Sequence, residues 1–505
     1  MNKRSAKPRR KTAVKRPAFA SVRRPAAVKK AAARRRPPVI NGAMLFKHAS
    51  CPHWLYFDRY GDPKKKIRQS RFAGLLLESG LLFEKEVLEG KKYSEVRARG
   101  EAARQRATLK LMKAGAELIY GGLLKDGNRV GEPDLLEKRT DASSKFGAYH
   151  YVAVEIKNVE KLSDALRLQL FFLSDVLARV QGFRPQYGYV LNGTGLLIGF
   201  ALAEFEERYR AALAEMDRAL GGECPPPHLS SSCKASPWFN ECAALAEAGR
   251  DIALLYNIKE KIVRALRANG VGTVEQAAVM DVGALAASTG VSRSTLERLA
   301  AQAVSLLEGK HFLRGRFDLP AAPTEYFFDI EGDPLRRLEY LFGLLVRDRA
   351  GERYEYFLAE RPEDEPRMWR RFLDWTESLP PWLVVFHYGT YELSRLTILE
   401  RRYGGSTALD RFRSAMVDLN EVVKENLILP LYFYGLKNIG SYIGLERSKE
   451  IAGGSESVAF YEDWLEKGDR KKLEAVIRYN EEDVIATRRL KDWLIRERDV
   501  HQSHG

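Results

Sequence analysis

The sequence predicts a mixed α/β chain of several domains, and three observations carry that reading. The chain has 505 residues, enough for about three domains of ordinary size. Short apolar runs of strand length recur among longer stretches of helical spacing, in two separate parts of the chain. Each of those parts carries its own set of acidic residues beside a strand. Hydrophobic residues make up 45% of the sequence, which suffices for real cores.

Charge is unevenly placed. Of a formal net charge of +16, fifteen Lys and Arg side chains lie in residues 1–38, where there is no Asp or Glu; the remaining 467 residues stand near +1. This segment is rich in Ala and Pro and has no apolar periodicity, so it cannot offset its ordering entropy. Residues 1–40 are expected to be a disordered basic tail. Its chemistry suits salt-sensitive, sequence-blind attraction to phosphates; a solubilising extension is the plainer reading. No apolar core follows the charges, as a signal peptide would require, and no run of about 18 apolar residues occurs, so no membrane span and a cytoplasmic protein are expected.

Residues 43–60 mix apolar and aromatic residues around Cys51-Pro52. Residues 71–118 place Leu75, Leu82, Val87, Leu109 and Met112 at helical spacing and are expected to be helical. Gly131-Glu132-Pro133-Asp134 then leads into apolar residues and a polar excursion. From Val152 the alternation predicts a strand. Residues two apart on a strand share a face, so Glu155 and Lys157 project together. With Asp134 on the neighbouring strand of a hairpin, two carboxylates and an ammonium converge. Such a set can hold a divalent cation and place a lysine beside an attacking water or a scissile phosphate. An edge strand with its charges in water is the alternative. Residues 162–180 read as an amphipathic helix, Tyr187–Leu191 and Leu196–Ala201 as strands around the turn Asn192-Gly193-Thr194-Gly195, and 203–220 as a helix.

These residues resemble a known family. Asp134, Glu155 and Lys157 look like the D…ExK core of the RecB-like PD-(D/E)XK nucleases, which implies a restriction-endonuclease-like α/β core across residues 41–250. Glu84 falls where those enzymes carry a helical Glu or His ahead of the core, and Gln169 where they carry a Gln after the lysine strand. The Tyr that often follows four residues later is Leu173 here. The resemblance implies Mg2+ or Mn2+ held by Asp134 and Glu155, with Lys157 assisting the nucleophile or the phosphate.

Residues 221–242 are rich in Pro and Ser and hold Cys224, Cys233 and Cys242; Cys51 is the fourth cysteine. In a chain expected to be cytosolic, this favours metal or cluster ligation over disulfides. Some RecB-like nucleases pin the ends of the domain with a four-cysteine iron–sulfur cluster, which Cys51 and the 233–242 segment resemble. Ser236 stands at the middle position of the usual C-x2-C-x5-C, so Cys224 is left to supply the fourth ligand of a [4Fe-4S] cluster. Zinc or unligated thiols remain the alternatives.

Residues 251–312 are expected to be helical, with turns at Asn269–Thr273 and Thr289–Ser292 and with Ser292 capping a helix near Thr295. They resemble tandem helix-hairpin-helix units, whose turns offer backbone N–H groups to phosphates; a structural spacer is the other reading. Residues 313–320 read as a linker.

A second α/β module is expected over 313–505. Glu325–Gly332, Leu338–Arg347, Arg353–Leu358 and Leu383–His387 read as strands, with helices near 363–378, 390–403, 418–425, 436–443 and 470–497. Asp329 and Glu331 share one face of their strand. Tyr479 and Asp483, four apart on a helix, also share a face. Both features resemble the RNase H-like DEDD exonucleases of the tyrosine subclass, in which four acids hold two metal ions and a Tyr orients the attacking water. His387–Glu392 occupies the position of their N-x3-F-D, so Glu392 stands for the third acid; Tyr434–Ile439 resembles the segment before the last helix, and Asp418 is read as structural. The resemblance assigns metal to Asp329, Glu331, Glu392 and Asp483, and water orientation to Tyr479.

As a whole the chain resembles RecB-like nucleases with a C-terminal YprB-type RNase H-like domain. That implies metal-dependent, exonucleolytic hydrolysis of DNA in repair or processing. No G-x4-G-K-[ST] loop is present, so any helicase is expected to be a separate partner. A non-catalytic or weakly active nucleic-acid-binding scaffold and an RNA-processing exonuclease are the alternatives.

Overall fold

The structure, a computed structural model, describes residues 38–504 apart from 69, 160 and 449. The basic tail therefore lies outside the described residues but for its last three. The chain divides into two compact units, whose described parts are residues 38–248 and 249–504. No helix among the described residues is long and apolar enough to cross a membrane.

The first unit is built on a six-stranded sheet whose strands lie side by side in chain order: β1 (Ser94–Glu95), β2 (Leu118–Tyr120), β3 (Leu135–Arg139), β4 (His150–Ile156), β5 (Tyr187–Leu191) and β6 (Leu197–Ala201). β3 and β4 form the expected antiparallel pair, with Leu135 opposite Val154. β4 and β5 run parallel, joined through the helix Asp164–Gln181. Ser163 caps that helix by accepting from the Leu166 N–H, and Gly182 ends it in the left-handed region at φ 71°. Its apolar face drives Phe171, Phe172, Val176 and Leu177 into the core. Every residue of β4 is buried, so the charged edge strand in water is ruled out.

Residues 71–118 are not one helical stretch. Helices Arg71–Leu88 and Glu101–Lys113 are separated by β1, and Gly90 and Gly100 break the helix at φ 73° and 83°, where residues with a Cβ are strained.

The second unit holds a five-stranded sheet: β7 (Glu325–Asp333), β8 (Leu338–Asp348), β9 (Gly351–Leu358), β10 (Val384–His387) and β11 (Met416–Asp418), in the order β9-β8-β7-β10-β11. The central β7 is antiparallel to β8 and parallel to β10. Alternation on β7 sends Phe328 and Ile330 into one core with Phe342, Trp369, Phe372 and Phe412. The opposite face carries Phe327, which packs in a second core with Leu490, Trp493 and Leu494 of the long helix Arg470–His504. Asp329 and Glu331 belong to this second face.

Helices Thr407–Ser414 and Gly454–Lys467 were not expected. Ser406 caps the first by accepting from the Leu409 N–H. The linker at 313–320 is packed rather than free, because Phe317 and Leu319 are buried in the core of the long helix. The same unit includes helices Glu260–Ala268, Val274–Ala278, Val282–Thr289 and Arg293–Glu308. They are tied to the sheet side by a near-parallel stack of Tyr256 on Tyr434, with ring centroids 3.8 Å apart. Ser292 does cap the last of them, accepting from the Thr295 N–H at 3.4 Å. In the earlier turn the Gly272 N–H is already bonded to Gln276 at 2.8 Å.

Candidate functional site

In the first unit, Asp134 ends the Gly/Pro turn directly before β3. Its Oδ2 accepts from the Ile156 N–H at 2.7 Å and from the Lys157 ammonium at 3.0 Å. The same ammonium lies 3.1 Å from Glu155 Oε2, which also accepts from the Gln169 amide at 3.0 Å. Glu155 is 2% exposed, and its other oxygen, Oε1, is buried without a partner. Burial, reinforced by the Asp134 charge, pushes the Glu155 carboxyl up to about 7. Burial lowers Lys157, but Glu155 and Asp134 override it and hold the ammonium well above its ordinary value. Glu84, on the helix Arg71–Leu88, accepts from the Tyr120 hydroxyl at 3.3 Å. Burial, then Asp134, raises its carboxyl too. The structure thus gathers Asp134, Glu155, Lys157 and Gln169 by direct contact and places Glu84 within their field. The orphaned Oε1 beside a second carboxylate is a donor set that fits a hard divalent cation.

In the second unit, ligand oxygens of Asp329, Glu331 and Asp483 all lie within 4.8 Å of one another. Glu331 and Asp483 are 7% and 8% exposed. Burial, then Asp483, pushes the Glu331 carboxyl up to about 8. The same two causes, with help from Glu331 and Glu392, hold Asp329 well above the usual carboxylate range. Arg447 donates to Asp483 Oδ1 at 2.5 Å, while the Lys437 ammonium lies over the Tyr479 ring, 4.5 Å from its centroid. Burial lowers Lys437 despite the Asp483 charge. The excess of crowded, buried negative charge is what fits divalent cations here. Tyr479 is buried beside it, and burial followed by the Asp483 charge raises its hydroxyl, which therefore keeps its proton and can donate.

Glu392 stands slightly apart. It opens the helix Tyr391–Tyr403 and is 3% exposed, with Oε2 facing His387 Nδ1 at 3.4 Å. Its charge reaches Asp329 and Glu331, but its oxygens are not among those that converge. Asp418 is structural as read, accepting from the Gly389 and Asn420 N–H groups, both at 2.8 Å.

Sequence reasoning missed Asn480. This fully buried side chain donates to Asp329 Oδ2 at 2.7 Å and accepts from the Tyr354 hydroxyl at 2.8 Å. Room for it exists only because residue 343, opposite Asp329 on β8, is Gly: a Cβ there would overlap the Asn480 side-chain oxygen. Gly343→Ala is expected to cost about 1–3 kcal/mol by overpacking and to turn the Asp329 carboxylate. Thermal melting measures it, and an unchanged melting temperature would contradict this packing. The available signal was the position of Asn480 between Tyr479 and Asp483 on one helix.

Of the cysteines, Cys51 and Cys242 lie with their sulfurs 3.6 Å apart, and Cys233 is hydrogen-bonded to Cys51. All three are fully buried, whereas Cys224 is exposed and lies against Tyr56. Cys224 is therefore the one of the four thiols that is not buried. The buried His53 joins Cys51 and Cys242 instead.

Residues 326–495 match the family model of the RNase H superfamily. No curated protein matches the chain. The second unit thus carries an RNase H-like domain, which points to a nuclease-type function.

Proposed function

We propose that the protein is a divalent-metal-dependent nuclease of DNA. Its RNase H-like domain would hydrolyse phosphodiester bonds at Asp329, Glu331 and Asp483. The observation that carries this reading is the convergence of those three carboxylates, two buried and Asp329 half-buried, to within 4.8 Å. Mg2+ or Mn2+, when bound, supplies Lewis acidity to the scissile phosphate and makes a bound water more acidic. Asn480 fixes the Asp329 carboxylate, and Tyr479 offers a protonated hydroxyl to orient the attacking water. Arg447 restrains Asp483. Glu392, with His387 holding it at 3.4 Å, stands as the fourth acid of the group.

The first unit supports a second centre of the RecB-like PD-(D/E)XK kind. The antiparallel β3–β4 pair and the parallel β4–β5 pair joined through a helix favour a restriction-endonuclease-like core. Asp134 and Glu155 would hold the cation there. Lys157, held protonated between them, would meet the substrate phosphate, and Gln169 would orient Glu155. The middle helices would add phosphate contacts in the manner of helix-hairpin-helix units. We read the activity as exonucleolytic, in DNA repair or processing, with any helicase a separate protein.

The test is to incubate the full chain with end-labelled single- and double-stranded DNA and RNA in Mn2+ or in chelator. Stepwise shortening of DNA only with Mn2+ is expected. Cleavage of RNA alone would move the substrate to RNA, and binding without cleavage of either would leave a scaffold.

A further inference from the structure

We propose that Cys51, His53, Cys233 and Cys242 form a mononuclear zinc site in the first unit, with the His53 imidazole as the fourth ligand and Cys224 outside it. The proposal is independent of the nuclease reading.

His53 opens the helix His53–Tyr60 and is completely buried. Its Nε2 lies 2.8 Å from the Pro225 carbonyl oxygen, which can only accept, so Nε2 carries the proton. That leaves Nδ1 with its lone pair, and Nδ1 is buried without a partner. A ring nitrogen of His53 and the sulfurs of Cys51 and Cys242 all lie within 4.8 Å of one another. A carbonyl that fixes the tautomer and aims the other nitrogen is the usual companion of a ligating histidine. The ring is held in place by stacking on Phe57, which stacks in turn on Trp238, at centroid distances of 5.7 and 5.6 Å. The His53 backbone N–H donates to the Cys51 sulfur, as N–H groups do around metal-bound thiolates.

Sulfur spacing then separates the metals. The 3.6 Å between Cys51 and Cys242 is far too long for a disulfide, whose sulfurs lie about 2.05 Å apart. Two thiolates bound at about 2.3 Å on one tetrahedral zinc stand about 3.8 Å apart. A [4Fe-4S] cubane binds each thiolate to a different iron and spreads them wider. Cys233, buried and hydrogen-bonded to Cys51 but outside that 4.8 Å group, would supply the third sulfur, and three sulfurs with one imidazole are a common structural zinc set. Zinc binding would displace the three thiol protons and staple residue 51 to residue 242, closing the ends of the unit.

Metal content and X-ray absorption of the full chain, purified without chelator, test the assignment. The expected result is colourless protein with one zinc per chain in a shell of three sulfurs and one nitrogen. Cys224→Ser, at an exposed position, should keep the full zinc content. His53→Ala should weaken zinc retention against a competing chelator by at least about tenfold, and His53→Cys should restore it with four sulfurs around the metal. Brown protein containing iron and sulfide, loss of the metal in Cys224→Ser, or wild-type protein without stoichiometric zinc would each overturn the proposal.

Discussion

Asp329→Asn is expected to slow divalent-dependent cleavage by about 10²- to 10³-fold, because a ligand to catalytic metal contributes several kcal/mol of transition-state stabilisation. The same substitution should raise the melting temperature of the ion-free protein. Without cations, Asp329 is a half-buried carboxylate repelled by Asp483, Glu331 and Glu392, with Asn480 as its hydrogen-bond donor. An amide of the same shape removes the repulsion and keeps an oxygen for Asn480 to donate to. Loss of activity with a gain in stability identifies a functional carboxylate; loss of both would mark Asp329 as merely structural.

The pH dependence follows from the same crowding. The folded Glu331 carboxyl titrates near 8, whereas its ordinary value is 4.5. Between those values the unfolded chain releases the proton and the folded chain retains it. Folding stability is therefore greatest at the acidic end and falls as pH rises toward 8. Melting in chelator across that window should show the decline, and Glu331→Gln should make it shallower, because it removes the proton that Glu331 retains and eases the crowding that holds Asp329 up. Saturating Mn2+ should reverse the slope, because the ion displaces the protons that the folded state holds. A wild-type profile as shallow as that of the variant would contradict the crowding.

The second large effect concerns Glu155. Glu155→Gln is expected to abolish, again by about 10²- to 10³-fold, the cleavage that survives in Asp329→Asn. The charge of Glu155 is what an ion would meet; the neutral amide keeps the Gln169 contact and the packing of β4 but offers a weaker ligand. Lys157 would keep only Asp134 as a partner, so its ammonium should become easier to deprotonate. Kinetics on both single variants and the double variant give the apportionment. If Glu155→Gln changes nothing in either background, the first unit binds without cutting.

The parts of this account that could be read from sequence are those that depend on local period. Asp134, Glu155 and Lys157 were legible because strand alternation puts Glu155 and Lys157 on one side and a Gly/Pro turn marks Asp134 as the start of the partner strand. Asp329 with Glu331, and Tyr479 with Asp483, were legible from the periods of strand and helix. The distant partners were not. Asn480 matters only because Gly343, far away in sequence, leaves it room. His53 reads locally as a histidine near a cysteine. Only the fold brings it beside Cys242 while leaving Cys224 at the surface, which a sequence count of sulfurs does not show. The break at Gly90 and Gly100 was hidden by apolar spacing that continues on both sides of it.

The most direct measurement is the number of Mn2+ ions that the full chain binds near neutral pH, counted by electron paramagnetic resonance titration in wild type, Asp329→Asn, Glu155→Gln and the double variant. Tight binding is expected in wild type, with loss of a different class of ions in each single variant and of both classes in the double variant. Equal Mn2+ binding by the wild type and the double variant would contradict that expectation.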